Sequence, residues 1–175
     1  MKSFVDYLSQ YAAYHRDRRN IATHFVGIPM IVAAVTILLS RPVFMYADGV
    51  AISPALIVVV IMALFYLKLD VRFGIAMSVF LLCCLWLGQL LALQGTAVWV
   101  SWGVGLFVVG WVFQFVGHYY EGRKPAFVDD VMGLAIGPVF VAAELAFNIG
   151  LRRELQEAVE ARVGPTLIRQ TKAAA

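Results

Sequence analysis

Long apolar segments dominate the pattern of hydrophobic and polar positions and predict membrane-spanning helices. The four longest runs are residues 23–40, 50–67, 74–93 and 96–117. Each is close to the roughly 20 helical residues that cross a hydrocarbon core of about 30 Å. Pro29 and Pro54 stand near the starts of the first two runs, where a missing backbone N–H costs little. We therefore expect four transmembrane helices.

Residues 3–16 have a different pattern, that of an amphipathic helix. Its stripe of apolar and aromatic residues, at helical spacing, contains Phe4, Leu8, Tyr11 and His15. Away from this stripe lie Asp6, Gln10 and Arg16. A helix of this kind lies in the plane of the membrane interface with its apolar stripe inward.

A fifth apolar stretch, residues 134–150, contains Pro138, Glu144 and Asn148, and its role depends on the distribution of basic residues. With four spans, all but one of the 14 Lys and Arg residues fall on one side, and only Arg41 lies opposite. A fifth span would divide them almost evenly. The positive-inside rule therefore favours four spans with both termini cytoplasmic. The stretch 134–150 is then a re-entrant or interfacial helix.

The expected fold is an all-α polytopic membrane bundle that forms a single domain over residues 1–175. Within it we expect an interfacial helix and turn (1–22), four transmembrane helices (23–117), a cytoplasmic loop (118–133), the re-entrant or interfacial segment (134–150) and a cytoplasmic tail (151–175). A composition of 62% hydrophobic and 14% charged residues is too apolar for an ordinary soluble domain. The net charge of +3 does not indicate nucleic-acid binding, because the basic residues lie where membrane orientation places them. The adjacent Cys83 and Cys84 are expected to be buried thiols, and the membrane to be a bacterial inner membrane or the endoplasmic reticulum.

The chain has only three histidines, and each lies at the edge of an apolar segment: His15, His24 and His118. The four-span topology brings all three to the cytoplasmic side at one depth, where they can share a metal ion. On one unbroken helix His15 and His24 would be about 180° apart and roughly 13 Å distant along the axis. We therefore expect a break at residues 17–20, with Asn20 as the N-cap of the next helix. Asn20 and His24 then lie on one helical face.

Other polar residues near the histidines are candidates for catalysis or substrate binding. Glu121 lies three residues after His118 and is a candidate ligand or orienting group. Glu144 is ionisable within an apolar stretch, which marks a functional candidate, although a structural carboxylate is an equal alternative. Arg123 and Lys124 could bind a substrate carboxylate, or could be ordinary cytoplasmic anchors. The tyrosines of these segments are typical of an interfacial aromatic belt.

Together these residues resemble the Mpo-like membrane 2-hydroxy fatty acid dioxygenases. The resemblance covers residues 3–155 and rests on the motif Tyr11, His15, Asn20, His24, Gly27 and Pro29, then Gly117-His118, Glu121, Lys124-Pro125-Ala126, Gly137-Pro138 and Glu144. It implies an Fe(2+)-dependent enzyme that uses O₂ to convert a long-chain 2-hydroxy fatty acid into the acid one carbon shorter. By this resemblance His15, His24 and His118 are the metal ligands. Candidate catalytic residues are Asn20, Glu121 and Glu144, and candidate substrate-binding residues are Tyr119, Arg123 and Lys124.

Several alternatives stay open. Glu121 could replace His15 as the third ligand, giving a set of two histidines and one carboxylate. A non-catalytic membrane scaffold and a metal- or haem-binding membrane protein are the competing functions. A di-iron hydroxylase or desaturase is disfavoured because this chain has too few histidines. Besides O₂, the substrate and membrane lipid, the sequence indicates no partner, and it does not reveal an oligomeric state.

Overall fold

A computed structural model describes residues 2–48 and 50–168, and it is almost entirely helical. The final seven residues of the predicted tail, 169–175, lie outside the described residues. The elements, in chain order, are α1 (Phe4–Ala12), α2 (Arg18–Ser40), β1 (Met45–Ala47), β2 (Val50–Ile52), α3 (Pro54–Leu69), α4 (Val71–Ala92), α5 (Thr96–Glu121), a 3₁₀ turn (Ala126–Val128), α6 (Met132–Asn148) and α7 (Arg153–Val163).

Three of these helices, α2, α4 and α5, are long and apolar enough to cross a membrane. The pair α6 and α7, bent by 113°, passes the same test together and corresponds to a broken span or a re-entrant loop. The predicted second span is the shorter helix α3, whose 16 residues extend for about 24 Å. The prediction of an all-α membrane bundle is confirmed.

The described chain divides into two compact units, residues 1–28 with 112–175 and residues 29–111. Both α2 and α5 contribute residues to each unit. The prediction of a single domain stays a prediction.

In the unit of residues 29–111, helices approach closely where they carry glycine. A Cβ atom built on Gly88 of α4 would lie 2.5 Å from Ser40 Oγ and 3.1 Å from the Thr36 carbonyl oxygen of α2. One built on Gly103 of α5 would overlap the Leu38 side chain. Helices α3 and α4 form an antiparallel pair around Asp70, which ends α3 and whose side chain accepts a hydrogen bond from Phe73 N (3.1 Å).

The same unit contains a short hairpin that the hydrophobic pattern did not indicate. Residues 50–52, expected to begin the second span, form β2 and pair antiparallel with β1. Helix α3 begins only after Ser53, whose hydroxyl accepts the Leu56 N–H (3.4 Å) and which precedes Pro54 at the first helical position.

In the other unit, the N-terminal amphipathic helix is shorter than predicted. A capping box between Ser3 and Asp6 starts α1, and the helix ends at Ala12 rather than at residue 16. Residues 13–16 turn the chain toward α2, so the predicted break occurs, slightly earlier than expected.

The predicted N-cap of α2 was wrong. Asp17, not Asn20, caps this helix: its carboxylate accepts the Arg19 N–H (2.8 Å) and its carbonyl accepts the Ile21 N–H (3.1 Å). Asn20 therefore lies inside the first turn of α2, where its side chain is available for tertiary contacts.

Candidate metal centre

His15 lies in the turn between α1 and α2 and is fully buried. Its Nδ1 contacts the carbonyl oxygen of Tyr11, one turn earlier, at 2.8 Å. Burial, with a smaller contribution from nearby His24, holds the pKa of His15 well below its usual range. The imidazole is therefore neutral at physiological pH, which is the form that binds metals.

His24, on the second turn of α2, is also held by a backbone carbonyl oxygen one turn earlier in the chain. Its Nδ1 contacts the carbonyl oxygen of Asn20 at 2.9 Å, which confirms that these residues share one helical face. A carbonyl oxygen can only accept, so in both rings Nδ1 carries the proton and Nε2 presents a lone pair. The two Nε2 atoms face each other at 3.1 Å. Two converging lone pairs require a cation or a shared proton between them.

His118 completes the cluster from near the end of α5. Its ring centroid lies 4.9 Å from that of His15 and 5.2 Å from that of His24. One ligand nitrogen from each of the three buried rings lies within 4.8 Å of the others. Within residues 2–48 and 50–168, no other group of three or more His, Cys, Asp or Glu converges in this way.

This donor set fits a transition-metal ion. Imidazole nitrogens are ligands for iron, zinc, copper and nickel, and one such nitrogen from each of three buried rings converges here. The backbone carbonyls that hold the Nδ1 protons are the usual outer partners of metal-binding histidines. The three side chains come from three different elements, so a bound ion would also join those elements.

Aromatic rings cover one side of the histidine cluster. The Tyr11 ring stacks on His15 with a centroid distance of 4.1 Å and an interplanar angle of 3°. Phe140 of α6 lies 5.5 Å from the His15 ring and 4.9 Å from the Tyr11 ring. Tyr11 is buried, and burial raises the pKa of its phenol. Tyr11 belongs to the apolar stripe of α1, and its ring packs inside the site rather than in the interfacial belt expected for most of these tyrosines.

Glu121, at the end of α5, connects that helix to the turn that carries His15. Its Oε2 accepts hydrogen bonds from Arg16 N (3.0 Å), Asp17 N (2.8 Å) and the Asn20 side-chain amide (3.0 Å). It is not among the residues whose ligand atoms converge. The three bonds place the carboxylate beside the positive N-terminal end of α2, where a negative charge is stabilised.

A buried ion pair supports the same turn from the other side. Arg16 Nη2 lies 3.1 Å from Glu144 Oε1 of α6, and both side chains are less than a tenth exposed. Arg16 Nη1 also donates to the carbonyl of Gly164 (3.0 Å), beyond α7. The prediction that Arg16 lies away from the apolar side was wrong, because its charge is neutralised inside the protein by Glu144.

The segment after α7 binds this turn through its backbone. Arg18 N donates to the carbonyl of Leu167 and Leu167 N donates to the carbonyl of Arg16, each at 2.9 Å. The residues directly after His15 are therefore held by contacts with α5, with α6 and with the C-terminal segment.

Gly117 permits the approach of α5 to α2 beside the cluster. A Cβ atom at this position would overlap Thr23 Oγ1 and Asn20 Oδ1 and would lie 3.1 Å from His24 Nδ1. Any larger residue would separate the two helices that carry His24 and His118.

The three predicted substrate-binding residues lie outside the cluster. Tyr119 is 74% exposed and contacts Tyr120. Lys124 forms an ion pair with Asp129, and Arg123 Nη1 donates to the carbonyl of Ala13 (3.0 Å), two residues before His15. Of the six candidate catalytic and substrate-binding residues, the structure brings Asn20, Glu121 and Glu144 into the network around the histidines.

Comparison with known proteins identifies the family. The family model described as 2-hydroxy-palmitic acid dioxygenase Mpo1-like matches residues 1–149. The chain is 32% identical over 155 residues to the 2-hydroxy-palmitic acid dioxygenase MPO1 of Saccharomyces cerevisiae, and the match covers 87% of this chain and 85% of the relative. No solved structure matches the chain. These matches over most of its length, to a family model and to a relative at 32% identity, show that the chain belongs to the Mpo1-like 2-hydroxy-palmitic acid dioxygenase family.

Proposed function

We propose that this protein is a metal-dependent dioxygenase that converts long-chain 2-hydroxy fatty acids into acids one carbon shorter. The observation that carries this proposal is the convergence of the His15 and His24 Nε2 lone pairs at 3.1 Å, with His118 beside them. Membership of the family supports a dioxygenase that acts on a 2-hydroxy fatty acid. The shortening of the acid by one carbon is part of the proposal.

The proposed metal is iron(II), held by His15, His24 and His118. Imidazole ligands suit iron, zinc, copper and nickel alike, so the choice among these metals depends on the reaction. When held by these three residues, iron(II) would supply electrons to O₂ and would act as a Lewis acid toward the oxygens of a 2-hydroxy acid. Three neutral imidazoles leave the positive charge of the ion available to the anionic head of the substrate.

The surrounding residues position these ligands. The Tyr11 and Asn20 carbonyls hold the two Nδ1 protons, so both Nε2 atoms stay free to bind. Glu121 holds the backbone of residues 16 and 17, and Glu144 neutralises Arg16 beside it. We assign Asn20, Glu121 and Glu144 to positioning rather than to contact with the substrate.

The substrate carboxylate is proposed to approach from the side of Arg123. Lys124 is already paired with Asp129, and Tyr119 is exposed, so Arg123 is the best placed of the three candidates. Its contact with the Ala13 carbonyl links it to the turn that leads to His15. The 2-hydroxy acid head of the substrate would lie at the metal, and its acyl chain would extend among the apolar helices.

We further propose that the protein is integral to the membrane with both termini cytoplasmic. Helices α2, α4 and α5 supply three candidate spans, and the shorter apolar helix α3 is proposed as the fourth. With four spans, all but one of the 14 basic residues lie on the cytoplasmic side.

An anaerobic reconstitution tests the proposed reaction. Metal-free protein would receive iron(II) or zinc(II), then 2-hydroxypalmitate and O₂, with products identified by mass spectrometry. Only the iron-loaded protein should consume O₂ and form the 15-carbon acid, because zinc has no accessible redox change. Turnover with zinc would indicate hydrolytic chemistry, and a protein that binds no metal would favour the non-catalytic scaffold.

A further inference from the structure

Arg41 lies directly after α2 in the unit of residues 29–111, and it forms no ion pair with any residue that the structure describes. It is the one basic residue that the sequence places apart from the others. Its Nη1 atom is buried and has no hydrogen-bond partner within residues 2–48 and 50–168. Burial of an unsatisfied charged donor is costly, and a ligand that supplied an acceptor would offset this cost.

Trp99 of α5 holds the guanidinium in place. The Arg41 Cζ atom lies 4.8 Å from the centroid of the Trp99 ring, within the range of a cation–π interaction. The ring itself is fixed, because its Nε1–H donates to the carbonyl of Ile37 at 2.8 Å. Stacking on Trp99 therefore fixes the position of the guanidinium, whose Nη1 atom has no acceptor among the described residues.

A cavity of about 380 Å³ lies against Arg41 within the same unit. Ser40, Tyr46 and Gln89 add polar groups to its wall, and Leu93, which is 75% exposed, adds an apolar one. The volume is in the range of small-molecule sites and is larger than a single phosphate ion needs. The wall combines one fixed cation with neutral hydrogen-bonding groups and an apolar surface.

We propose that Arg41 binds the phosphate of an anionic phospholipid headgroup in this cavity. The planar guanidinium matches the oxygens of a phosphate group and forms strong charge-assisted hydrogen bonds with them. Helices α2, α4 and α5 are long and apolar enough to cross a membrane. A protein in a membrane is surrounded by phospholipids, so we expect the phosphate group to belong to a lipid. Tyr46 and Gln89 would contact the polar remainder of the headgroup, and the acyl chains would lie along exposed apolar residues.

Native mass spectrometry of the full-length, delipidated protein in neutral detergent tests this site. The probes are phosphatidylglycerol and phosphatidylcholine with identical acyl chains, titrated separately. Wild-type protein should bind phosphatidylglycerol more tightly, and Arg41→Gln should weaken that binding by about tenfold or more, the loss expected for a charge-assisted bond. Arg41→Lys should retain part of the affinity, and Arg72→Gln, at an exposed position of α4, should retain all of it.

Two other results of these titrations would contradict the proposal. Equal affinity of wild type and Arg41→Gln for phosphatidylglycerol would overturn the proposal. Displacement of the lipid by inorganic phosphate at a similar concentration would overturn the lipid assignment and leave a site for free phosphate. Metal content should be unchanged in Arg41→Gln, so this test fails or succeeds independently of the proposed dioxygenase activity.

Discussion

Glu121 lies three residues beyond His118 and accepts three hydrogen bonds from the chain around the start of α2. Through these bonds one carboxylate links the helix that carries His118 to the turn after His15 and to the helix that carries His24. A carboxylate forms stronger hydrogen bonds than a neutral acceptor, and two of the three donors to Glu121 are buried backbone N–H groups. Glu121 can therefore control the geometry of the site without touching a metal.

Replacement of Glu121 by Gln should weaken metal binding and turnover by roughly 10- to 100-fold, as is typical for the loss of an outer partner of metal ligands. The amide keeps the volume but removes the charge and one acceptor. Metal titration and steady-state kinetics would measure the effect, with Glu157→Gln on the exposed side of α7 as the matched control. Complete loss of metal would instead make Glu121 a ligand, and wild-type affinity would exclude the positioning role.

At the scale of elements, the contact between α2 and α5 decides whether His24 and His118 meet. Gly117 is adjacent to His118, and its missing side chain leaves space for Thr23 and Asn20. The sequence placed the histidines at helix edges, but it gave no indication of this close approach, since a glycine in an apolar helix has many roles. The capping of α2 was equally ambiguous, because both Asp17 and Asn20 are good N-cap residues and only the tertiary contacts of Asn20 decide between them.

Gly117→Ala should destabilise the fold by about 1–3 kcal/mol, because the added methyl group overlaps neighbouring atoms and must separate the helices. It should also weaken metal binding. Gly105→Ala, on the same helix with no atom within 4 Å of the added Cβ, is the control and should leave both properties unchanged or slightly raise stability. Thermal unfolding and metal titration would measure both variants. Equal behaviour of the two would show that the approach at Gly117 is not needed.

At the scale of the whole molecule, hydrophobic pattern and charge distribution were sufficient to predict an all-α membrane bundle and the gathering of three distant histidines. They were insufficient to predict that Arg16 is buried, because its position in an amphipathic segment indicated a solvated face. Its burial depends on Glu144, which is more than 120 residues away in the chain. Hydrophobic periodicity records which face of a helix is apolar, and it contains no information about long-range pairs of charges.

Membrane orientation is testable by cysteine labelling in a background without Cys83 and Cys84. Cysteines at exposed positions Lys68, Val128 and Ala161 should react with an impermeant reagent from the cytoplasmic side, and one at Phe44 from the opposite side. This pattern follows from the distribution of basic residues. Labelling of position 161 from the side of position 44 would contradict the four-span orientation and make α6 and α7 a crossing segment.

Elemental analysis of protein purified without oxygen tests most directly whether His15, His24 and His118 bind a metal. The wild type should contain about one iron per chain, and each single His→Ala variant should lose it while keeping the wild-type helical content by circular dichroism, because apolar helices do not depend on a metal for their backbone hydrogen bonds. An iron content equal to that of the wild type in His15→Ala, with full activity, would contradict the three-histidine centre.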